Sequence, residues 1–422
     1  MNKNTSLSSP LNRITVLDAL RGFALFGVII MHMLQHFGTG FGSSQQEVLR
    51  FPALDVTFQW IGNTIIMGRF INIFAFLFGL SFFIQMDRAA KKGIDFRGRF
   101  VWRMIILMTM GLLCHSFYNL EIISIYGFFG LLLIPLYKVK NWVLLAIFMF
   151  FLIGGPRIVS VVHNNYKTAI ELAKTEDREN AEEPRPDFER SRETPEHIKN
   201  PSFLNTAKYN YEERFIRKLN YQFGLVGRGF ITYALFVFGL LIGKIRFFEK
   251  LAEQKKRNIR LFIGLALATA MIVLFKNTLP SVDFRILFRP EGQIIPPSVL
   301  TVMALEDISM VLSSAALTIG FILVYQTAKY GKYLEVLSPY GRTGLTNYIM
   351  QGVIGALIFS LWAFGSFFSG WGATALFVFG IVIYIIQGII SKYWLKYYLY
   401  GPLEWLWRSI TYLKFQPYKK HS

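Results

Sequence analysis

Residues 14–33, ITVLDALRGFALFGVIIMHM, carry three ionisable side chains in an otherwise apolar run: Asp18, Arg21 and His32. Arg21 and His32 are 11 positions apart. On a helix that spacing puts both on one face, about 16.5 Å apart along the axis. Asp18 stands one turn before Arg21, at the spacing of an ion pair. A guanidinium holds anions, and an imidazole titrates near neutrality and moves protons, so the face has the parts for both tasks. A charge in an apolar spanning helix costs at least ~2.5 kcal/mol near the bilayer centre, which argues that these groups face a protein interior. The plain alternative is a structural Asp18–Arg21 pair and a packing histidine.

Further polar groups recur at helical spacing. GRFINIFAFLFG (68–79) places Arg69 and Asn72 one turn apart, and His115 and Glu121 flank a turn between two apolar runs. Arg228 opens a later run, and Glu306 and Asp307 precede another. In SPYGRTGLTNYIMQ (338–351), Arg342 stands at a helix entrance, and Thr346, Asn347 and Gln351 form a polar stripe. Such a stripe serves either bonding between helices or the wall of a ligand cavity. The expectation is that Arg21, His32, Arg69 and Asn347 line one continuous interior space.

The elements that position these residues are membrane helices. Of 422 residues, 53% are hydrophobic and 17% charged, where a soluble protein carries about 25% charged. Ten apolar segments approach or reach the roughly 20 residues a bilayer needs: 14–33, 61–85, 104–119, 120–137, 141–163, 223–243, 261–279, 308–328, 344–364 and 373–391. The fold class is therefore all-α, a polytopic membrane protein of about ten helices. Residues 1–163 form a five-helix region and 164–222 a polar extracytoplasmic loop with short surface helices at its edges. Its acidic stretch, 175–196, has the composition of a mobile segment. Residues 223–400 form a second five-helix region and 401–422 an interfacial tail dense in Trp and Tyr. No internal repeat is evident.

With the N-terminus inside, the inward segments carry 26 Lys and Arg and the short outward segments 4. This positive-inside bias predicts a cell-membrane protein with both termini cytoplasmic. The first segment lacks a small-x-small cleavage site and is read as uncleaved. The net charge of +19 lies between apolar runs, so it suits anionic lipid rather than nucleic acid. The single Cys114 excludes an intramolecular disulfide and a Cys-rich metal site, and no metal is expected. The common soluble-enzyme signatures, GxGxxG, P-loop, HExxH and GxSxG, are absent.

The strings LDALRGFALFGVIIMHM, GRFINIFAFLFG, GRTGLTNYIMQ and GPLEWLWRSITY resemble the YeiB-like membrane proteins that carry a DUF418 domain toward the C-terminus. The likeness covers most of the chain. That family also looks related to transmembrane acyltransferases such as the heparan-glucosaminide N-acetyltransferases. Their first helix has an Arg and a His separated by ten residues, the spacing of Arg21 and His32. Two departures stand out: typical YeiB-like proteins have Asn at the position of His32, and Glu121 is the nearest carboxylate before Tyr126 where Gly-Asp is usual.

The resemblance implies an acyltransferase using acetyl-CoA or another acyl-CoA, with a small-molecule acceptor whose identity stays open. Asp18, Arg21, Arg342 and Asn347 would bind the donor. His32 would act as general base, Arg69 or Asn72 would stabilise the oxyanion, and Glu121 would serve as a further outer-side group. Two alternatives stand beside it. One is a transporter of a small anionic metabolite, with His32 or Glu121 carrying a coupling proton and without clearly broken helices to support it. The other is a non-catalytic scaffold. Membrane lipid is a partner in each, and a homo-oligomer stays open.

Overall fold

The computed structural model describes residues 15–38, 51–175, 194–250, 254–282, 286–287, 293–327, 329–368 and 370–420. The first charged segment, and most of the acidic stretch read as mobile, lie outside the described residues.

The apolar pattern produces two kinds of helix. Helix α1 (Thr15–Leu34) is 78% buried over its apolar window, so other helices surround it. The helix Lys255–Thr278 is the opposite case. Its one buried residue is Asn258, and Ile263, Leu267, Met271 and Leu274 are each more than half exposed. An apolar stripe of that length is unfavourable in water and stable against hydrocarbon. The protein is all-α and membrane-spanning.

In chain order the main helices are α1, α2 (Pro52–Ile61), α3 (Arg69–Ala90), α4 (Arg97–His115), α5 (Ile123–Leu133), α6 (Asn141–Leu152) and α7 (Gly155–Thr175). Then come α8 (Phe203–Phe223), α9 (Arg228–Lys244), α10 (Lys255–Thr278), α11 (Pro297–Tyr325), α12 (Ser338–Arg342), α13 (Gly344–Phe359), α14 (Ala373–Tyr397) and α15 (Pro402–Tyr412). Among the described residues, five helical stretches are long and apolar enough to cross a bilayer: α1, Pro52–Ala90, α10, α11 and α14. Counting the bent pairs Asn141–Leu152 with Gly155–Ala173 and Phe203–Phe223 with Arg228–Lys244 raises this to seven. The expectation of ten is not met on this criterion. Two of the ten segments form short helices, α5 with 11 residues and α13 with 16. Eleven residues rise only about 16 Å. Residues 164–175, read as part of the polar loop, continue α7, and 203–223 are helical.

α3 and α9 run parallel and touch backbone to backbone. A Cβ on Gly79 would lie 2.0 Å from the Phe236 carbonyl oxygen, and one on Gly239 would lie 2.2 Å from that of Phe76. The contact is reciprocal, and the two helices carry similar strings. Residues 70–80, FINIFAFLFGL, and 230–240, FITYALFVFGL, are identical at six of eleven positions. The match is one helix long and made of common apolar types, so it does not stand out in an apolar chain.

The connecting segments gather at two ends. At one, Arg246 pairs with Asp87 at 3.0 Å, the Lys244 Nζ donates to the Val139 carbonyl at 2.6 Å, and the Trp102 indole donates to the Ile410 carbonyl at 3.1 Å. At the other, α8 lies over the α4–α5 turn, with the Asn210 Nδ2 donating to the Ser116 carbonyl at 3.0 Å and Lys218 paired with Glu121. Substituting Gly79 or Gly239 by Ala forces α3 and α9 apart. Thermal unfolding of the purified protein in detergent should show each variant destabilised by about 1–3 kcal/mol, the cost of overpacking a tight contact.

Candidate functional site

Polar residues on α1, α3, α4, α12 and α15 meet in one cavity of about 320 Å³. α1 presents Arg21, Leu25 and Val28 to it, at i, i+4 and i+7 of one face. α3 contributes residues from Ile71 to Gln85, a run of about 21 Å along its axis. The two helices run in opposite directions and register through the Arg21 Nη2, which donates to the Ser81 Oγ at 2.5 Å. The Arg21 Nη1 donates to Asp18 at 2.8 Å, so the guanidinium is held from both sides at its mouth position.

The cavity is polar at one end and apolar beyond. Arg21, Ser81, Gln85, Arg103, Arg342 and Glu404 line the polar end, with Trp407 beside them. Leu25, Phe74, Phe78, Phe82, Met104 and Leu107 line the walls, and Ile122, Ile123, Tyr126 and Tyr348 close the far end. Three guanidiniums against Glu404 and the Arg21-paired Asp18 leave the polar end with a positive balance.

Backbone contact places Arg342 there. A Cβ on Gly341 would lie 1.9 Å from the Asp18 carbonyl oxygen, and one on Gly22 would lie 2.4 Å from that of Leu337. Only glycine lets α12 lie directly on α1, which sets Arg342 beside the Arg21 turn. Arg103 is fixed by the tail: its guanidinium lies 3.7 Å from the Trp407 ring centroid, and the Trp407 indole donates to the Arg103 carbonyl at 2.9 Å.

Glu404 does a different task. α13 has no side-chain cap of its own. The Glu404 carboxylate accepts from the Leu345 N–H at 2.6 Å, the Thr346 N–H at 3.1 Å and the Thr346 hydroxyl at 2.6 Å. It therefore caps α13 from α15. Burial pushes its carboxyl above the usual glutamate range, against the pull of these hydrogen bonds.

The sequence-derived residues separate into groups. Arg21 and Arg342 line the cavity, and Asp18 orients Arg21. His32 is buried one aromatic layer behind the far wall. Its Nε2 is hydrogen-bonded to the Tyr118 hydroxyl at 2.7 Å, and its ring lies 6.1 Å from that of the wall residue Tyr348. The other four lie in separate contacts, which corrects the expectation of one shared space. Arg69 donates to the Met67 carbonyl at 3.0 Å, where Gly68 (φ +75°) breaks the helix. Asn72 joins Arg228 to Ser314. Glu121 pairs with Lys218 and accepts from Ser124, and Asn347 bonds Tyr340, Thr343 and Ser391. In each case the low-dielectric surroundings favour a nearby partner over an open cavity.

Sequence reasoning missed Ser81, Gln85, Arg103, Tyr118, Tyr348, Glu404 and Trp407. Arg103 sits four residues after Arg99, at one-turn spacing, but it was counted only as inward charge. Among the described residues no group of three or more His, Cys, Asp or Glu is placed to hold a metal.

Residues 242–414 match the family described as "Protein of unknown function (DUF418)". The C-terminal part of the chain thus resembles the DUF418 family, and the match leaves the residues before 242 outside it. It is 27% identical over 402 residues to an uncharacterized 39.9 kDa protein in the amylase 3′ region of Bacillus acidopullulyticus, covering 95% of this chain and 94% of that one. It is 25% identical over 437 residues to the uncharacterized protein YxaH of Bacillus subtilis (strain 168), covering 97% of each. Over 80 residues it is 34% identical to the uncharacterized protein YeiB of Escherichia coli (strain K12), covering 19% of this chain and 20% of that one. The DUF418 region supplies Arg342, Tyr348, Glu404 and Trp407 to the cavity, and the preceding helices supply Arg21, Ser81, Gln85 and Arg103.

Because the Glu404 carboxyl is raised in the folded protein, its contribution to stability is complete below the ordinary value of 4.5 and is lost as pH rises through the raised one. Unfolding measured from pH 4 upward should show this fall in the wild type. The Glu404→Gln variant should lack that part of it, and an unchanged pH profile would exclude the effect.

Proposed function

We propose that the protein is a polytopic membrane acyltransferase with both termini cytoplasmic, passing an acyl group from acyl-CoA to an acceptor near the opposite face. One observation carries this reading: a single cavity runs from three arginines, along aromatic walls, to Tyr348, with His32 and Tyr118 packed behind it. The Lys- and Arg-rich segments gather at the Arg21 end, which supports placing that end in the cytoplasm.

The residues fit the donor. The CoA phosphates match the arginines at the mouth. Ser81 and Gln85 near the mouth and the Tyr126 and Tyr348 hydroxyls at the far end offer partners to the pantetheine amides. The lining run of about 21 Å is of the order such an arm spans. In the transfer, the acceptor oxygen or nitrogen attacks the thioester carbonyl carbon and the C–S bond breaks. The His32–Tyr118 pair takes the acceptor proton and returns it to the departing thiolate, leaving acylated acceptor and free CoA thiol. Tyr348 stands between the pair and the cavity, so its side chain acts as the gate. Arg69, Asn72, Glu121 and Asn347 hold helices together in this scheme.

A second reading, an anion transporter, draws on the broken helices. The chain breaks at Gly68 and again between α8 and α9, and Arg69 and Arg228 are the first residues of the two parallel helices that follow. Flux of an anion into liposomes without any acyl donor would favour it.

Equilibrium binding of labelled acetyl-CoA to the protein in nanodiscs tests the first reading. Arg21→Ala should weaken binding by about 10–100-fold, as expected for losing a hydrogen bond to a charged group. His32→Asn should bind normally, yet lower transfer of label to vesicle contents by about 10²–10⁴-fold. Full transfer by a folded His32→Asn protein would remove His32 from the scheme.

A further inference from the structure

A second, separate opening lies beside the polar end of the cavity. α4 and α15 lie antiparallel, joined by the Trp407 indole donating to the Arg103 carbonyl and the Trp102 indole donating to the Ile410 carbonyl. One turn further along the same seam, the Arg99 guanidinium lies 4.9 Å from the Tyr412 ring centroid. Here an open groove of about 480 Å³ is lined by Gly98, Arg99, Trp102, Thr411, Tyr412 and Asp95, whose carboxylate is paired with Arg97 at 2.8 Å. The cavity stops at Arg103 and Trp407, and the groove begins at the neighbouring Trp102. The two openings share no lining residue, but Arg103 and Trp102 are adjacent on α4, which sets them close together along the seam.

The chemistry of the groove is specific. The Trp102 ring is 40% exposed while its N–H is tied to Ile410, so it offers a fixed aromatic face. Arg99 is an exposed cation beside it. A Cβ on Gly98 would meet nothing within 4 Å, which leaves the groove floor open. A flat aromatic heterocycle stacks on such a face, and a phosphate a few ångströms away meets the arginine.

We infer that this groove is the nucleotide subsite of the donor, stacking the adenine on Trp102 and holding the ribose phosphate on Arg99. The inference rests on the acyl-CoA reading and adds to it. Arg21, Arg103 and Arg342 hold the pyrophosphate at the mouth, and the groove holds the part of the donor that never enters the membrane. Tyr412, already covered by Arg99, forms the groove wall.

Two ligands separate the inference from the reading beneath it. Binding of acetyl-CoA and of acetyl-4′-phosphopantetheine, which lacks the nucleotide, is measured in nanodiscs of neutral lipid. The proteins are wild type, Arg99→Ala and Gly98→Leu. Both substitutions should weaken acetyl-CoA binding about tenfold, the scale of one hydrogen bond to a charged group, and leave acetyl-4′-phosphopantetheine unchanged. Gly98→Leu fills the groove where a side chain meets no neighbour, so it tests occupancy without burdening the fold. Adenosine 3′,5′-bisphosphate should compete with acetyl-CoA on the wild type and about tenfold less well on Arg99→Ala. Normal acetyl-CoA binding by both variants would overturn the subsite while leaving the donor reading intact. So would loss of phosphatidylglycerol retention by Arg99→Ala in a parallel set of nanodiscs containing that lipid, with nucleotide competition unchanged, which would make the groove a lipid headgroup site. Failure of the wild type to bind either acetylated ligand would overturn the donor reading and the subsite with it.

Discussion

The arrangement depends on a contact between two backbones. α12 rests on α1 with no side chain between them, because Gly22 and Gly341 leave the Leu337 and Asp18 carbonyls free to approach. Close approach through small residues is how membrane helices gain packing energy where no hydrophobic force acts between them. It also fixes chemistry. Arg342 follows Gly341 directly, so the same contact that joins the DUF418 region to the first helix brings a second guanidinium to the Arg21 end. Two like charges are tolerated there because Asp18 pairs with Arg21, and because the cavity leaves room for an anionic ligand.

The tail extends the same logic. α15 caps α13 through Glu404, covers Arg103 through Trp407, and is anchored to α4 by two indole hydrogen bonds. A segment that reads as a surface anchor is therefore part of the cavity wall. GRTGLTNYIMQ and GPLEWLWRSITY, two unusual strings far apart in the chain, meet at the Glu404 cap.

How much of this is legible in the sequence follows from the range of each interaction. The Asp18–Arg21 pair is local, set by helical period, and was readable. Membrane character was readable from composition, whereas the crossing number was not settled, since α5 and α13 are short helices. Partners between distant segments were out of reach. Nothing in the spacing of residues says that Asn72 meets Arg228, that Glu121 meets Lys218, or that Asn347 is taken up by Ser391. His32 shows the limit most clearly. Its shared face with Arg21 was correctly inferred from period, yet Tyr118 and Tyr348 shield it, and neither lies near it in sequence.

The central claim is that one elongated cavity holds the anionic end of a donor at three arginines and its reactive end at Tyr348, in front of His32 and Tyr118. The most direct measurement is a cryo-EM map of the protein in nanodiscs with acetyl-CoA. The account predicts continuous density from Arg21, Arg103 and Arg342, along Phe78 and Leu107, to Tyr348. Density confined to another face of the protein, or a lipid chain filling the cavity at saturating acetyl-CoA, would contradict it.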